Sequence, residues 1–151
     1  MKFTKEKLKF LIKESIKETV KELKSDQKNY RGHENLSIED GHSFEEFPEW
    51  FKKAQTKDAT VGLQNGLPVF NKGTWVDGVW KDGTWKDGTW LFGLWETGIW
   101  KNGIWHDGTW SNGLWLNGAW LNGEWLGGTW YKGVWKDGDW LDEFTDSPNE
   151  R

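Results

Sequence analysis

Few side chains in this 151-residue chain belong to the types that do covalent or acid–base chemistry, and those few are poorly spaced for it. Cysteine is absent, which removes both a thiol nucleophile and any disulfide framework. The three histidines, His33, His42 and His106, are scattered. Ser111 follows His106 without an evident third group to orient a nucleophile–base pair, so a turn serine and a solvated histidine are expected. His33, Glu34, Asp40 and His42 are the types a weak metal site would use, but ordinary surface polarity accounts for them. Asp77, Asp82 and Asp87 look like a calcium ladder. In a coil, however, they fall on successive sides, and calcium-binding repeats carry a longer period. The sequence thus supports no catalytic residue, metal ligand or cofactor, and points away from an enzyme.

Regular spacing belongs instead to tryptophan and glycine, which number 15 and 19. Fourteen units of the form G-x-W-x-x run without insertion from residue 73 to residue 142. Their tryptophans are Trp75, Trp80, Trp85, Trp90, Trp95, Trp100, Trp105, Trp110, Trp115, Trp120, Trp125, Trp130, Trp135 and Trp140. "PVFNK" at residues 68–72 fits as a degenerate unit with Phe70 in the tryptophan slot. Asp, Asn or Gly usually precedes each glycine, and these types tolerate positive φ, so each unit predicts a short extended piece and a tight turn. An exposed tryptophan ladder would stack sugar rings or bases, but it would also leave a very large apolar patch in water. The expected arrangement is a buried aromatic core whose indole N–H groups reach backbone carbonyls.

Two architectures offer a period of five. Short strands joined by Asp-Gly or Asn-Gly turns would make a ribbon of hairpins. The units resemble a fragment of the MORN repeat, which implies such an antiparallel β-meander. Parity argues against it: the first and last residues of a three-residue strand point their backbone groups the same way and cannot serve turns on both sides. A coil avoids the conflict, because every unit pairs in parallel with the one a turn below. Here Gly73/Trp75, Gly78/Trp80 and their successors resemble the small–x–large spacing of pentapeptide-repeat proteins. That resemblance implies a mainly β fold: a four-sided, right-handed β-solenoid with parallel stacking. The chain departs from that family in using Gly for Ala, Trp for Leu or Phe, and Asp or Asn after the large residue rather than before it. Gly plus Trp fills about the volume of Ala plus Phe, so the core is expected to stay filled. Four sides would stack residues twenty apart at ~4.8 Å, aligning Thr89 with Thr109 and Thr129 in just under four turns.

Flanking elements must close and position this coil. Residues 1–28 carry nine Lys against five acids, and Leu8, Ile12, Ile16 and Val20 with Leu11 and Leu23 form a helical stripe. An amphipathic helix docked on its own domain or on another copy is expected there. Met1, Lys2, Thr4, Lys5, Leu8, Lys9, Leu11, Ile12, Lys13 and Glu14 resemble the "MKxTKxxLKxLIKE" openings of proteins from large tailed bacteriophages, which implies a phage origin. Residues 29–61 form a linker and an aromatic cap: Phe44, Phe47, Trp50 and Phe51 cluster around Pro48, which suits the first turn of a short helix. They read as a plug over the open end of the array. The repeat domain spans residues 62–142, and an acidic tail occupies 143–151. No signal peptide or membrane span is evident, so a cytoplasmic protein is expected, virion-associated if of phage origin.

Between residues 114 and 131 the outward slots turn apolar at Leu114, Leu116, Ala119, Leu121, Leu126 and Tyr131, which predicts a protein interface, most simply self-association. The expected function is a non-catalytic structural or interaction scaffold. A carbohydrate-binding module using exposed Trp is the alternative. The pentapeptide resemblance adds a third: a DNA mimic that binds topoisomerases. Lys81, Lys86, Lys101, Lys132 and Lys136 interrupt the acidic face this last role needs. The array has no Arg, which argues against nucleic acid as a partner; a membrane partner is also not expected, while a glycan stays open.

Overall fold

The computed structural model describes Thr4, Lys5, Lys9 and residues 29–151. The amphipathic helix expected within residues 1–28 therefore lies outside the described residues, apart from helical backbone at Lys5 and Lys9. The remainder is mainly β: a parallel β-solenoid closed at its N-terminal end by a small cap.

In the cap, β1 (Asn29–Tyr30) runs antiparallel to β2 (His33–Glu34), and β2 and β3 (Ser37–Ile38) lie parallel to β4 (Gln55–Gln64). A 3-10 turn (Phe44–Glu46) and a one-turn helix α1 (Glu49–Lys52) connect β3 to β4. Pro48 stands immediately before α1, where its missing N–H costs nothing. Strand β4 reverses through Asn65 and Gly66 into β5 (Leu67–Asp77), and the two pair antiparallel. Both turn residues are left-handed, at φ 54° and 77°, as a two-residue hairpin with the twist of its strands requires. This hairpin spans the expected 61/62 boundary. Its second strand is already part of the coil: Val69 and Phe70 pair with Thr84 and Trp85, and Thr74 and Trp75 with Thr89 and Trp90.

From β6 (Val79–Trp80) to β18 (Asp139–Trp140) the array forms thirteen two-residue strands, every one paired in parallel. The antiparallel meander is excluded for this tract. Ile99 pairs with Thr84 on one side and Leu114 on the other, a step of fifteen residues. Three units thus make one turn and fifteen units make five. The expected four-sided coil is corrected to a three-sided one, and Thr89 stacks on Thr74 and Ile104, not on Thr109.

Indole shape explains three sides. Successive rings around a turn meet edge to face, with centroids 5.9 Å apart and planes at 74° for Trp95–Trp100 and 5.9 Å and 70° for Trp100–Trp105. Three flat rings close such a cycle around the axis with no hole, whereas four would open one at the centre. Along the axis each ring lies on the ring fifteen residues away, at 4.7 Å and 5° for Trp85–Trp100. That separation equals the spacing of neighbouring strands, so backbone ladder and aromatic stack share one repeat.

A triangular coil turns more sharply at each corner than a square one, and glycine makes the corner. The glycines that open the repeat units have φ between 105° and 131°. A Cβ on Gly98 would sit 2.5 Å from the Gly83 carbonyl oxygen of the coil below and 3.2 Å from the Trp80 indole nitrogen. Glycine is therefore required chiefly because two backbones touch there, and only secondarily because an indole needs room. The array aspartates before the glycines do not take positive φ: among the described residues only Asn35, Asp40, Asp58 and Asn65, all outside the array's G-x-W-x-x units, do so besides glycine. Instead, the Oδ1 atoms of Asp77, Asp82, Asp87, Asp107 and Asp137 each accept the N–H of the following glycine at 2.8 Å. That bond ties down a corner donor which the ladder cannot reach.

Candidate functional site

Every tryptophan from Trp75 to Trp125 is fully buried, Trp130 and Trp135 are 4% and 8% exposed, and Trp140 is half-buried. The indoles from Trp75 to Trp125 thus present no face to solvent. Their N–H groups behave differently from expectation. Trp100 donates to the Asn117 carbonyl and Trp115 to the Lys132 carbonyl, each at 3.1 Å, and Trp140 to Thr145 at 2.8 Å. Nine others, including Trp95 and Trp110, are buried without a hydrogen-bond partner among the described residues.

What the solenoid presents to partners is set by the residues on either side of each tryptophan, which point outward because strand side chains alternate. The first side carries Trp75, Trp90, Trp105, Trp120 and Trp135 inward. Its outward ladders read Thr74, Thr89, Ile104, Ala119, Val134 and Val76, Leu91, His106, Leu121, Lys136. Lys136, at the far end, is its one formal charge. The second side displays Lys81, Glu96, Glu124 and Asp139, and the third Lys86 and Lys101. Five strands make each side about 24 Å long.

The six residues predicted as one interface are not brought together. A three-sided coil distributes them: Ala119 and Leu121 fall on the first side, Leu126 on the second, and Leu114, Leu116 and Tyr131 on the third. They form a girdle because residues 114–128 are one full turn. The apolar surface that is continuous along the axis is the first side, where Leu91 and Ile104 are 37% and 41% exposed.

At the N-terminal end the cap meets the core through the four aromatics around Pro48. Phe44, Phe47 and Phe51 are buried and Trp50 half-buried. Trp50 packs edge-on against Trp80 at 5.3 Å, Phe51 lies 6.2 Å from Trp75, and Phe70 stacks on Trp85 at 4.0 Å and 3°. At the centre of the cap sits His33, which the sequence assigned to surface polarity and which the structure buries. Its Nε2 donates to the carbonyls of Phe51 at 2.8 Å and Lys52 at 3.2 Å, while Nδ1 accepts the Thr56 hydroxyl at 2.7 Å. Burial holds its pKa below the usual histidine value, outweighing the two carbonyl contacts that raise it. Both ring nitrogens are therefore engaged in structure. His42 pairs with Glu46 at 3.0 Å, and Glu46 also accepts the Ser43 N–H at 2.8 Å, a contact that lowers its pKa. Among the described residues no group of three or more His, Asp or Glu converges on a metal geometry. His106 and Ser111 lie on different sides of the coil. A groove of about 460 Å³ beside the cap is lined by Glu49, Trp50, Lys53, Gly78, Val79 and Lys81.

Among the described residues no helix is long and apolar enough to cross a membrane. Compared with protein-family models, with curated proteins and with solved structures, the chain matches none.

Proposed function

We propose that this protein is a non-catalytic scaffold that docks a protein partner, most simply a second copy, on the first side of its solenoid. The phage-like opening residues support placing it in a phage-infected cell's cytoplasm or on a virion. One observation carries the reading: the tryptophans are spent on the axis, while one side is largely apolar and carries a single charge, Lys136, at its far end. A β face whose single charge, Lys136, stands at one end leaves little to desolvate and suits contact with another apolar surface. Its limited area puts the contact in the weak or transient class.

Light scattering across micromolar concentrations tests this with two variants. Ile104→Lys with Leu121→Lys places two charges on the first side, and Leu116→Lys places one on the third. Mass should fall towards the monomer only for the first-side variant. Equal masses for wild type and both variants would refute self-association through that side. A glycan is the second reading, favoured by the groove where half-buried Trp50 lies beside Glu49, Lys53 and Lys81. Glycan-dependent quenching lost in Trp50→Ala would favour it.

A further inference from the structure

The C-terminal end of the coil is finished differently from its body. Within the array each tryptophan carbonyl accepts the backbone N–H sixteen residues on: Leu126 to Trp110 at 2.8 Å, Tyr131 to Trp115 at 2.7 Å, Lys136 to Trp120 at 2.8 Å and Leu141 to Trp125 at 2.7 Å. The chain then leaves the coil, and the next two carbonyls in this series take side-chain donors. Arg151 Nη1 donates to Trp130 at 2.8 Å and Asn149 Nδ2 to Trp135 at 3.2 Å. The Arg151 guanidinium also sits 5.7 Å from the centre of the Trp140 ring, and Trp140 Nε1 donates to Thr145. A sixth turn would donate to each tryptophan and glycine carbonyl of the last turn and cover its indoles; here the tail supplies two of those donors and a cation beside the last ring.

We infer that residues 143–151 mask a self-complementary docking surface, and that the partner this surface fits is the same end of a second copy. An uncovered last turn presents a parallel strand edge with unsatisfied carbonyls above three stacked indole columns, which is a template for another strand. The opposite end of a second molecule cannot dock there. Its first-turn rings Trp75 and Trp80 already lie against Phe51 and Trp50, and Phe70 belongs to the β4–β5 hairpin that closes that end. Two uncovered ends must therefore meet across a two-fold axis, which closes at a dimer and forms no filament. The tail competes with that contact within its own chain, so its effective concentration is high and a chain that carries it keeps the end covered.

The test uses the Ile104→Lys/Leu121→Lys background, so that association through the first side does not contribute. In that background, deletion of residues 143–151 should raise the mass by light scattering about twofold at tens of micromolar. The pair Asn149→Ala with Arg151→Ala should do the same while leaving the tail present. Trp140→Glu added to either should return the parental mass. Parental mass for the Asn149/Arg151 pair throughout this range, with its cooperative melt intact, overturns the inference. A mass that keeps growing beyond two copies, or a doubling that Trp140→Glu leaves unchanged, overturns it equally. Because the double point variant keeps the chain whole, a deletion that fails to fold leaves the outcome decided by that pair.

Discussion

Replacing Gly98 by alanine isolates the contact that makes a three-sided coil possible. Two costs combine there. The glycine stands at φ 125°, a region side-chain-bearing residues avoid, worth about 1–3 kcal/mol. The new Cβ would also lie 2.5 Å from the Gly83 oxygen and 3.1 Å from the Gly83 nitrogen, both backbone, so the strands must part. Two ladder bonds run through this pair, Ile99 N–H to Gly83 and Leu114 N–H to Gly98, each at 2.9 Å. Weakening both adds roughly 2 kcal/mol. The expected loss is about 4 kcal/mol, equivalent to roughly 8–16 °C in Tm for a chain of this size. Urea denaturation followed by tryptophan emission measures it, with two controls. Gly41 has φ 69°, and a Cβ placed on it would meet nothing within 4 Å, so Gly41→Ala should show the conformational cost alone. Gly62 has neither problem, so Gly62→Ala should be neutral or stabilising, by up to about 1 kcal/mol. If Gly98→Ala costs no more than Gly41→Ala, close backbone approach is not what requires glycine.

Two further outcomes follow from buried polar atoms. Trp95→Phe and Trp100→Phe remove similar ring area from near-identical surroundings, yet only Trp100 loses a hydrogen bond, while Trp95 sheds an unpartnered N–H. Trp100→Phe should therefore cost more by about 1 kcal/mol in paired urea melts; equal costs would mean the Asn117 contact contributes nothing. His33, whose folded pKa is lowered from 6.5, should make stability fall with acidification. Above that value the ring is neutral folded and unfolded alike. Below it, the unfolded chain takes up a proton that the cap resists, giving a slope of up to about 1.4 kcal/mol per pH unit. Melts from pH 8 to 5 should lose this slope in His33→Gln, and an unchanged slope would assign the acid sensitivity elsewhere.

The parallel coil is legible in the sequence because the five-residue period and the parity of a three-residue strand are local properties, and they exclude a meander without any tertiary information. The number of sides is not legible. Columns twenty apart, such as Thr89 and Thr109, look alike, but Thr74 with Thr89, Lys86 with Lys101, and Asn102 with Asn117 repeat at fifteen and are equally good. Surface residues are weak witnesses to register, since an exposed ladder tolerates almost any side chain. The Asn65–Gly66 turn is a readable hairpin signal, overshadowed by the parity that removes hairpins from the array. The burial of His33 carries no signal, because its partners are backbone carbonyls and a threonine twenty-three residues away.

By itself the sequence determined that the indoles form a core and that each unit winds the same way as the last, since strict repetition of a large apolar residue admits few alternatives. Tertiary structure alone decided how many units close a turn, because that depends on how flat rings meet edge to face around an axis. Side count in turn decided which outward residues share a face. It scattered Leu114, Leu121 and Leu126 around the coil and aligned Leu91, Ile104 and Leu121 along it. It also turned a polar tail into a lid, since Asn149 and Arg151 find the Trp135 and Trp130 carbonyls only once the last turn has been wound.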